Sequence, residues 1–209
     1  MKQVMDKLKN KVKLHKRMFL FLAGIALIGF LFGVFFITIL SGSDKTMVRE
    51  YITNFMNMID QNKMNYQATF FNTILSNGIF IGTIWLLGIS IIGIPITLFL
   101  YFSKAFMLGF SIGAFILEYQ FKGCLFAFLY VFPHHILNFL AHTLLMVYSI
   151  KFSLKLMDSI FHKKTINFKA IMNTYLIVLV IVAIILLISS LFEVFFVPFI
   201  FQKFAFLIK

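Results

Sequence analysis

The chain has 209 residues, 61% of them hydrophobic and only 12% charged, with a net charge of +12 and a mean hydropathy of +0.98. Soluble domains carry about 25% charged residues, so too few charges are present to cover a globular surface, and lipid must cover part of it. A single cysteine, Cys124, excludes an intrachain disulfide framework and a cysteine-rich metal site.

Residues 1–17 hold Lys2, Lys7, Lys9, Lys11, Lys13, Lys16 and Arg17 against Asp6 alone, which reads as a basic cytoplasmic segment. Val4, Leu8 and Val12 recur every four residues, so the segment is either a basic interfacial helix or a solvated tail. Met18 to Leu40 is apolar and free of charge. As a helix rising about 1.5 Å per residue it exceeds the roughly 30 Å hydrocarbon layer. Ser41-Gly42-Ser43 would suit signal cleavage, but a signal peptide's apolar region is only about 7–15 residues. The run is therefore a retained first span, 18–40.

The polar loop 41–68 carries Asp44, Lys45, Arg49, Glu50, Asp60 and Lys63. Within it Val48, Tyr51, Ile52, Phe55, Met58 and Ile59 recur at helical spacing, predicting an external amphipathic helix over 47–60 on the membrane or on a partner. Thr69 to Leu117 is apolar apart from Lys104 and too long for one crossing. Gly88, Gly93 and Pro95 break it into spans at 70–92 and 95–117. A turn at 118–123 leads to a fourth span at 124–150, then a basic cytoplasmic loop at 151–169 with Lys151, Lys155, Lys163, Lys164 and Lys169 against Asp158. A fifth span at 170–197 ends at Pro198, before an external amphipathic tail at 199–209.

The pattern is an all-α polytopic bundle of about five transmembrane helices, forming one domain over 18–198. With the N-terminus inside, the inner segments hold 12 Lys/Arg and the outer ones 6, which favours N-in/C-out. Basic groups beside membrane spans imply anionic lipid as a partner and no nucleic acid. Lys104 either faces a polar interior at midplane, or lies near the surface behind a re-entrant segment around 88–104.

The pairs Gly29/Gly33, Gly78/Gly82 and Gly109/Gly113 each place two glycines on one helix face and predict close helix packing. A homo-oligomer is one further assembly the chain is expected to allow. In the fourth span His134, His135, Asn138 and His142 follow Pro133, a helix kink, and line one face. With Glu193 of the fifth span they form a predicted intramembrane polar cluster, read as interhelical hydrogen bonding between His134 or His135 and Glu193. One helix offers two or three nitrogens, short of a zinc site's usual complement, and no His-Glu-x-x-His pattern occurs. No nucleotide loop, nucleophile elbow or paired carboxylates are present, so no enzyme activity, metal or cofactor is expected.

Gly109-Phe110-x-x-Gly113 after the Gly/Pro break, Pro133-His134 about 20 residues later, and Glu193 before Pro198 resemble, in order and spacing, the stage II sporulation protein M family over nearly the whole chain. Where the family often has an acid four positions after the histidine, this chain has Asn138. The resemblance implies a non-enzymatic scaffold for engulfment during endospore formation. It would anchor two peptidoglycan hydrolases, a lytic transglycosylase and an amidase/endopeptidase, at the septal membrane of the mother cell. Arg49, Glu50, Tyr51 and Phe55 are the candidate docking residues, together with the 118–123 turn and the tail. The alternative is a small transporter or channel built on Lys104 and the His/Asn/Glu cluster.

Overall fold

The computed structural model describes residues 2–61, 65–130, 132–161, 163, 165–196 and 199, with side chains described except at 2–15, 59–60, 125–130 and 132–134. The elements are α1 (Lys2–Ile39), α2 (Gly42–Asp60), α3 (Tyr66–Gly88), α4 (Gly93–Tyr130), α5 (Phe132–Phe161) and α6 (Phe168–Leu191), closed by a π-helical turn, Phe192–Phe196. No strand occurs among the described residues. Among the described residues, five stretches are long and apolar enough to cross a bilayer: Lys16–Ile39, Tyr66–Gly88, Gly93–Cys124, His135–Phe161 and Phe168–Phe196. The all-α bundle with five spans expected from the sequence is the architecture observed.

Several boundaries differ from the sequence reading, each for a local reason. The basic segment is not a separate element, because α1 runs unbroken from Lys2 into the first span. No re-entrant piece forms near 88–104. α3 ends at Gly88, residues 89–92 make one tight turn, and α4 begins at Gly93. Short bonds from Ser90 N to Leu87 O (3.0 Å) and from Gly93 N to Ser90 O (3.2 Å) close that turn. A Cβ on Gly93 would lie 2.6 Å from the Leu87 carbonyl carbon, so the reversal needs glycine there. Pro95 falls in the first turn of α4, where its missing N–H has no intrahelical acceptor to satisfy.

The expected turn at 118–123 shrinks to a single residue, Gln120, whose φ of 52° and ψ of −130° break α4 while helix continues on both sides. The next helix, α5, runs Phe132–Phe161 and so extends beyond the span expected at 124–150. Lys151, Lys155 and Asp158 are on the last turns of α5, and the basic loop contracts to the residues between Phe161 and Phe168. Long lysine stems allow this, since the chain can lie along the helix while the ammonium reaches polar surroundings. The Lys151 ammonium sits 5.4 Å from the centre of the Tyr148 ring. Pro198 and the tail 199–209 lie outside the described residues, apart from Phe199.

The packing is densest between α1 and α4, which run side by side in the same direction. A Cβ on Gly29 would lie 2.7 Å from Phe102 O, one on Gly33 2.6 Å from Phe110 N, and one on Gly109 2.8 Å from the Phe30 carbonyl carbon. Only glycine lets the backbones come this close. Phe36 packs edge-on against Phe106 across the same seam, with ring centres 5.4 Å apart. Gly78 and Gly82, expected to pack in the same way, have no atom within 4 Å of a modest side chain. Their face of α3 meets no other helix closely.

At the end of the bundle near the basic segments, Leu22, Ile84, Tyr101, Leu145, Met146, Tyr175 and Val182 form a closed core. There the last carbonyls of α3, which have no partner within the helix, are bonded by other helices. Ser153 Oγ donates to Gly88 O (2.6 Å) and Ser90 O (3.1 Å), and Tyr175 OH donates to Trp85 O (3.1 Å). A second cluster at the opposite end joins Ile52 and Met56 of α2 to Ile37, Ala114 and Phe115. The amphipathic helix thus lays its apolar face on its own bundle.

Candidate functional site

Along α3, Thr69, Asn72, Thr73, Ser76 and Asn77 follow one another at intervals of three and one, which places all five on one helix face. That face borders a polar vestibule of about 350 Å³ completed by Lys104 of α4, His135 and Asn138 of α5, and Glu193 of the π-helical turn. The lining comes from the first half of α3, the start of α5 and the turn that ends α6. Lys104 is eleven residues into α4, about 16 Å along its axis, which puts its Cα near the middle of a roughly 30 Å hydrocarbon layer.

Asn65 caps α3 by accepting from Ala68 N (3.1 Å), and the polar face then descends into the membrane. Asn77, at its inner end, is buried and donates from Nδ2 to Ser190 Oγ of α6 at 3.4 Å. Two residues beyond Ser190 the helix widens into the π turn that carries Glu193. π turns are rare and concentrate at functional sites. Stacking of Tyr66 and Phe195, 6.4 Å between ring centres and 11° apart in plane, fixes the turn to α3.

The site carries one basic and one acidic side chain, Lys104 and Glu193. No direct ion pair joins them among the described residues; the Lys104 ammonium instead sits 5.1 Å from the centre of the Phe80 ring. A charge at the centre of a span costs about 2.5–3.5 kcal/mol on insertion scales, and cation–π contact offsets about 0.5–2 kcal/mol of it. Lys104 is therefore tolerated by aromatic contact, polar lining and the field of Glu193 together. Of the two placements open from sequence, the polar interior is the one observed.

The structure brings His135, Asn138 and Glu193 of the expected polar cluster onto the vestibule wall. His142 stands one turn deeper. It is 1% exposed, edge-on to Phe80 at 4.7 Å between ring centres, with no hydrogen-bond partner at either ring nitrogen. The side chains of His134 and Pro133 lie outside the described residues. Sequence reasoning missed the α3 stripe altogether. Its signal was legible, since five polar residues at helical spacing inside an apolar span are unusual. Among the described residues, no three His, Cys, Asp or Glu side chains converge as a metal-ligand set.

The four candidate docking residues separate. Arg49 reaches Glu118 at 3.2 Å, with the pair 54% and 24% exposed. Phe55 packs into the cluster that seats α2. Glu50 is exposed, and Tyr51 is 76% exposed beside Met47 and Met58. Glu50 and Tyr51 alone of the four are free to meet another surface, because the other two hold α2 in place.

A family model described as stage II sporulation protein M matches residues 18–198. The match spans most of the chain, and the chain belongs to that family. No curated protein and no solved structure matches it.

Proposed function

Starting from that family membership, we propose that this sporulation membrane protein is a non-catalytic anchor. It holds peptidoglycan-processing enzymes, a lytic transglycosylase and an amidase/endopeptidase, at the septal membrane while the mother-cell membrane engulfs the forespore. The observation that carries the reading is the seating of α2. Ile52 and Met56 are buried against Ile37, Ala114 and Phe115, and Arg49 pairs with Glu118. Met47, Tyr51 and Met58 remain exposed on the outward face of α2, among polar residues. A fixed helix with an exposed aromatic and two methionines costs little ordering entropy on binding, and such residues are favoured at interfaces. The charge bias of the loops supports α2 on the outside, where cell-wall enzymes work.

The test is crosslinking and pull-down of the tagged chain from cells in early sporulation, with Met47→Ala/Tyr51→Ala beside the unaltered chain. Recovery of cell-wall hydrolases through 42–60, lost in the double variant at equal membrane abundance, is the expected result. Arg49 is the wrong residue to reverse, because its loss would unseat α2 itself. Good recovery of the chain with no cell-wall partner would overturn the reading. The vestibule favours transport as a second reading. Against it stands the apolar packing of Ile81, Ile84, Tyr101, Leu145 and Met146 in the adjoining core. Flux in proteoliposomes that responds to Glu193→Gln would reverse that judgement.

A further inference from the structure

We propose that the vestibule is a binding site for a small zwitterion, its oxyanion held at the Lys104 end and its primary ammonium at Glu193. The inference does not depend on the anchor reading, because the vestibule and the exposed face of α2 are separate.

Lys104 and Glu193 border one cavity of about 350 Å³ without a direct ion pair between them, which leaves room for a ligand between a basic and an acidic side chain. Thr69, Asn72, Thr73 and Ser76 line the space between with hydroxyls and amides, which can donate or accept. Asn138 supplies an independent sign. It is only 4% exposed, it borders the cavity, and its Oδ1 has no hydrogen-bond partner. A buried amide oxygen in this state calls for a donor, and an ammonium or hydroxyl on a ligand provides one. A ligand bearing only one charge would leave either Lys104 or Glu193 uncompensated in a low-dielectric setting.

Size narrows the class further. Small-molecule sites span roughly 300–1,000 Å³, and this one lies at the low end, suited to an amino-acid-sized solute or a phospholipid headgroup. Ile81, Ile84, Tyr101, Leu145 and Met146 pack together in the adjoining core, so the polar lining ends there. The same chemistry has two sources, a free zwitterion or the headgroup of a lipid in the adjoining leaflet. A neighbouring apolar groove of about 410 Å³, bordered by Phe19, Leu27, Phe139 and Leu140, shares His135 with the vestibule and would receive the tail of a lipid.

The test uses the full chain, delipidated in detergent, with Ser76→Cys as reporter in a Cys124→Ser background, and follows the rate of maleimide labelling. The probes are phosphoethanolamine, phosphatidylethanolamine, and phosphatidylglycerol as an anion without an ammonium. A zwitterionic probe is expected to slow labelling saturably by about tenfold, and Lys104→Met or Glu193→Gln to weaken that protection by about tenfold. Protection by soluble phosphoethanolamine identifies a free solute, and protection by the lipid alone identifies a headgroup. Three results would overturn the site: labelling unchanged by both zwitterionic probes, equal protection by phosphatidylglycerol, or protection that survives both variants. The reporter keeps both charges, so its arm decides even if a charge variant fails to fold.

Discussion

Gly109→Ala is expected to weaken the bundle while Gly78→Ala leaves it intact or strengthens it, although the two glycines sit in equivalent sequence patterns. A Cβ at Gly109 would lie 2.8 Å from the Phe30 carbonyl carbon, and one at Gly33 2.6 Å from Phe110 N, where ordinary contact begins at 3.4 Å. The opposing atoms are backbone and cannot swing aside, so α1 and α4 must separate by at least about 0.6–0.8 Å. A gap of about 0.5–1 Å forfeits a quarter to a half of each contact's attraction. Overpacking of this kind costs about 1–3 kcal/mol, and Ala returns up to about 1 kcal/mol over Gly in helix propensity. The net effect is a loss of about 1–2 kcal/mol at Gly109 or Gly33. At Gly78, with open space around it, only the propensity gain of up to about 1 kcal/mol remains. Titrating the purified chain from mild micelles into dodecyl sulfate, with circular dichroism as readout, measures both. Equal shifts of the midpoint at Gly109 and Gly78 would refute the seam as the source of the close packing.

Four further outcomes follow from named residues. Ser153→Ala removes the donor to Gly88 O and Ser90 O and should cost about 0.5–1.5 kcal/mol in the same titration. Ser103→Ala, whose hydroxyl only bonds Phe99 O of its own helix, should stay within about 0.5 kcal/mol. His142→Phe removes two buried nitrogens that have no partner and should be neutral or stabilising; a loss of about 2–5 kcal/mol, as for a core truncation, would mean that the imidazole is bonded in the membrane. Cys124, exposed and unique, should react with an impermeant maleimide in intact cells, and labelling only after the inner face is opened would reverse the topology.

Composition and apolar run length were enough to read five spans, because membrane thickness imposes a length that few other constraints do. Where the reading slipped, the cause was local geometry. Glu118 and Lys122 look like a loop in sequence, whereas Glu118 faces Arg49 of α2, the helix breaks only at Gln120, and α5 runs on to Phe161. Lys151 and Lys155 resembled loop residues by charge, although long stems let a helix end in lysines. The glycine pairs had one spacing and two fates, since spacing places residues on a face without saying what that face meets. Within the vestibule, His135, Asn138 and Glu193 stood out as rare polar residues in apolar runs. The α3 threonines, serine and asparagines did not, because each taken alone is ordinary in a membrane helix and only their shared face makes a wall.

The apolar seam and the polar vestibule use opposite sides of one helix. Phe102, Phe106, Gly109 and Gly113 of α4 turn toward α1. Lys104 is two residues from each phenylalanine, about 200° around the helix, and so points away from the seam. A charge within the bilayer would lower its cost if α4 rotated or slid toward a surface. The seam resists this, because any rotation would break the close backbone approach of α4 to α1 at Gly29, Gly33 and Gly109. On this view α1, which does not border the vestibule, still positions its cation. The consequence is measurable. Gly109→Ala and Lys104→Met face opposite sides, and independent sites add within about 0.3–0.5 kcal/mol. If the seam holds Lys104 in place, opening it relieves part of the charge's cost. Lys104→Met then gains less stability in the Gly109→Ala background than in the unaltered chain. Strict additivity in the dodecyl sulfate titration would show that the lysine is held by its own surroundings, Phe80 and Glu193, and that the seam serves packing alone.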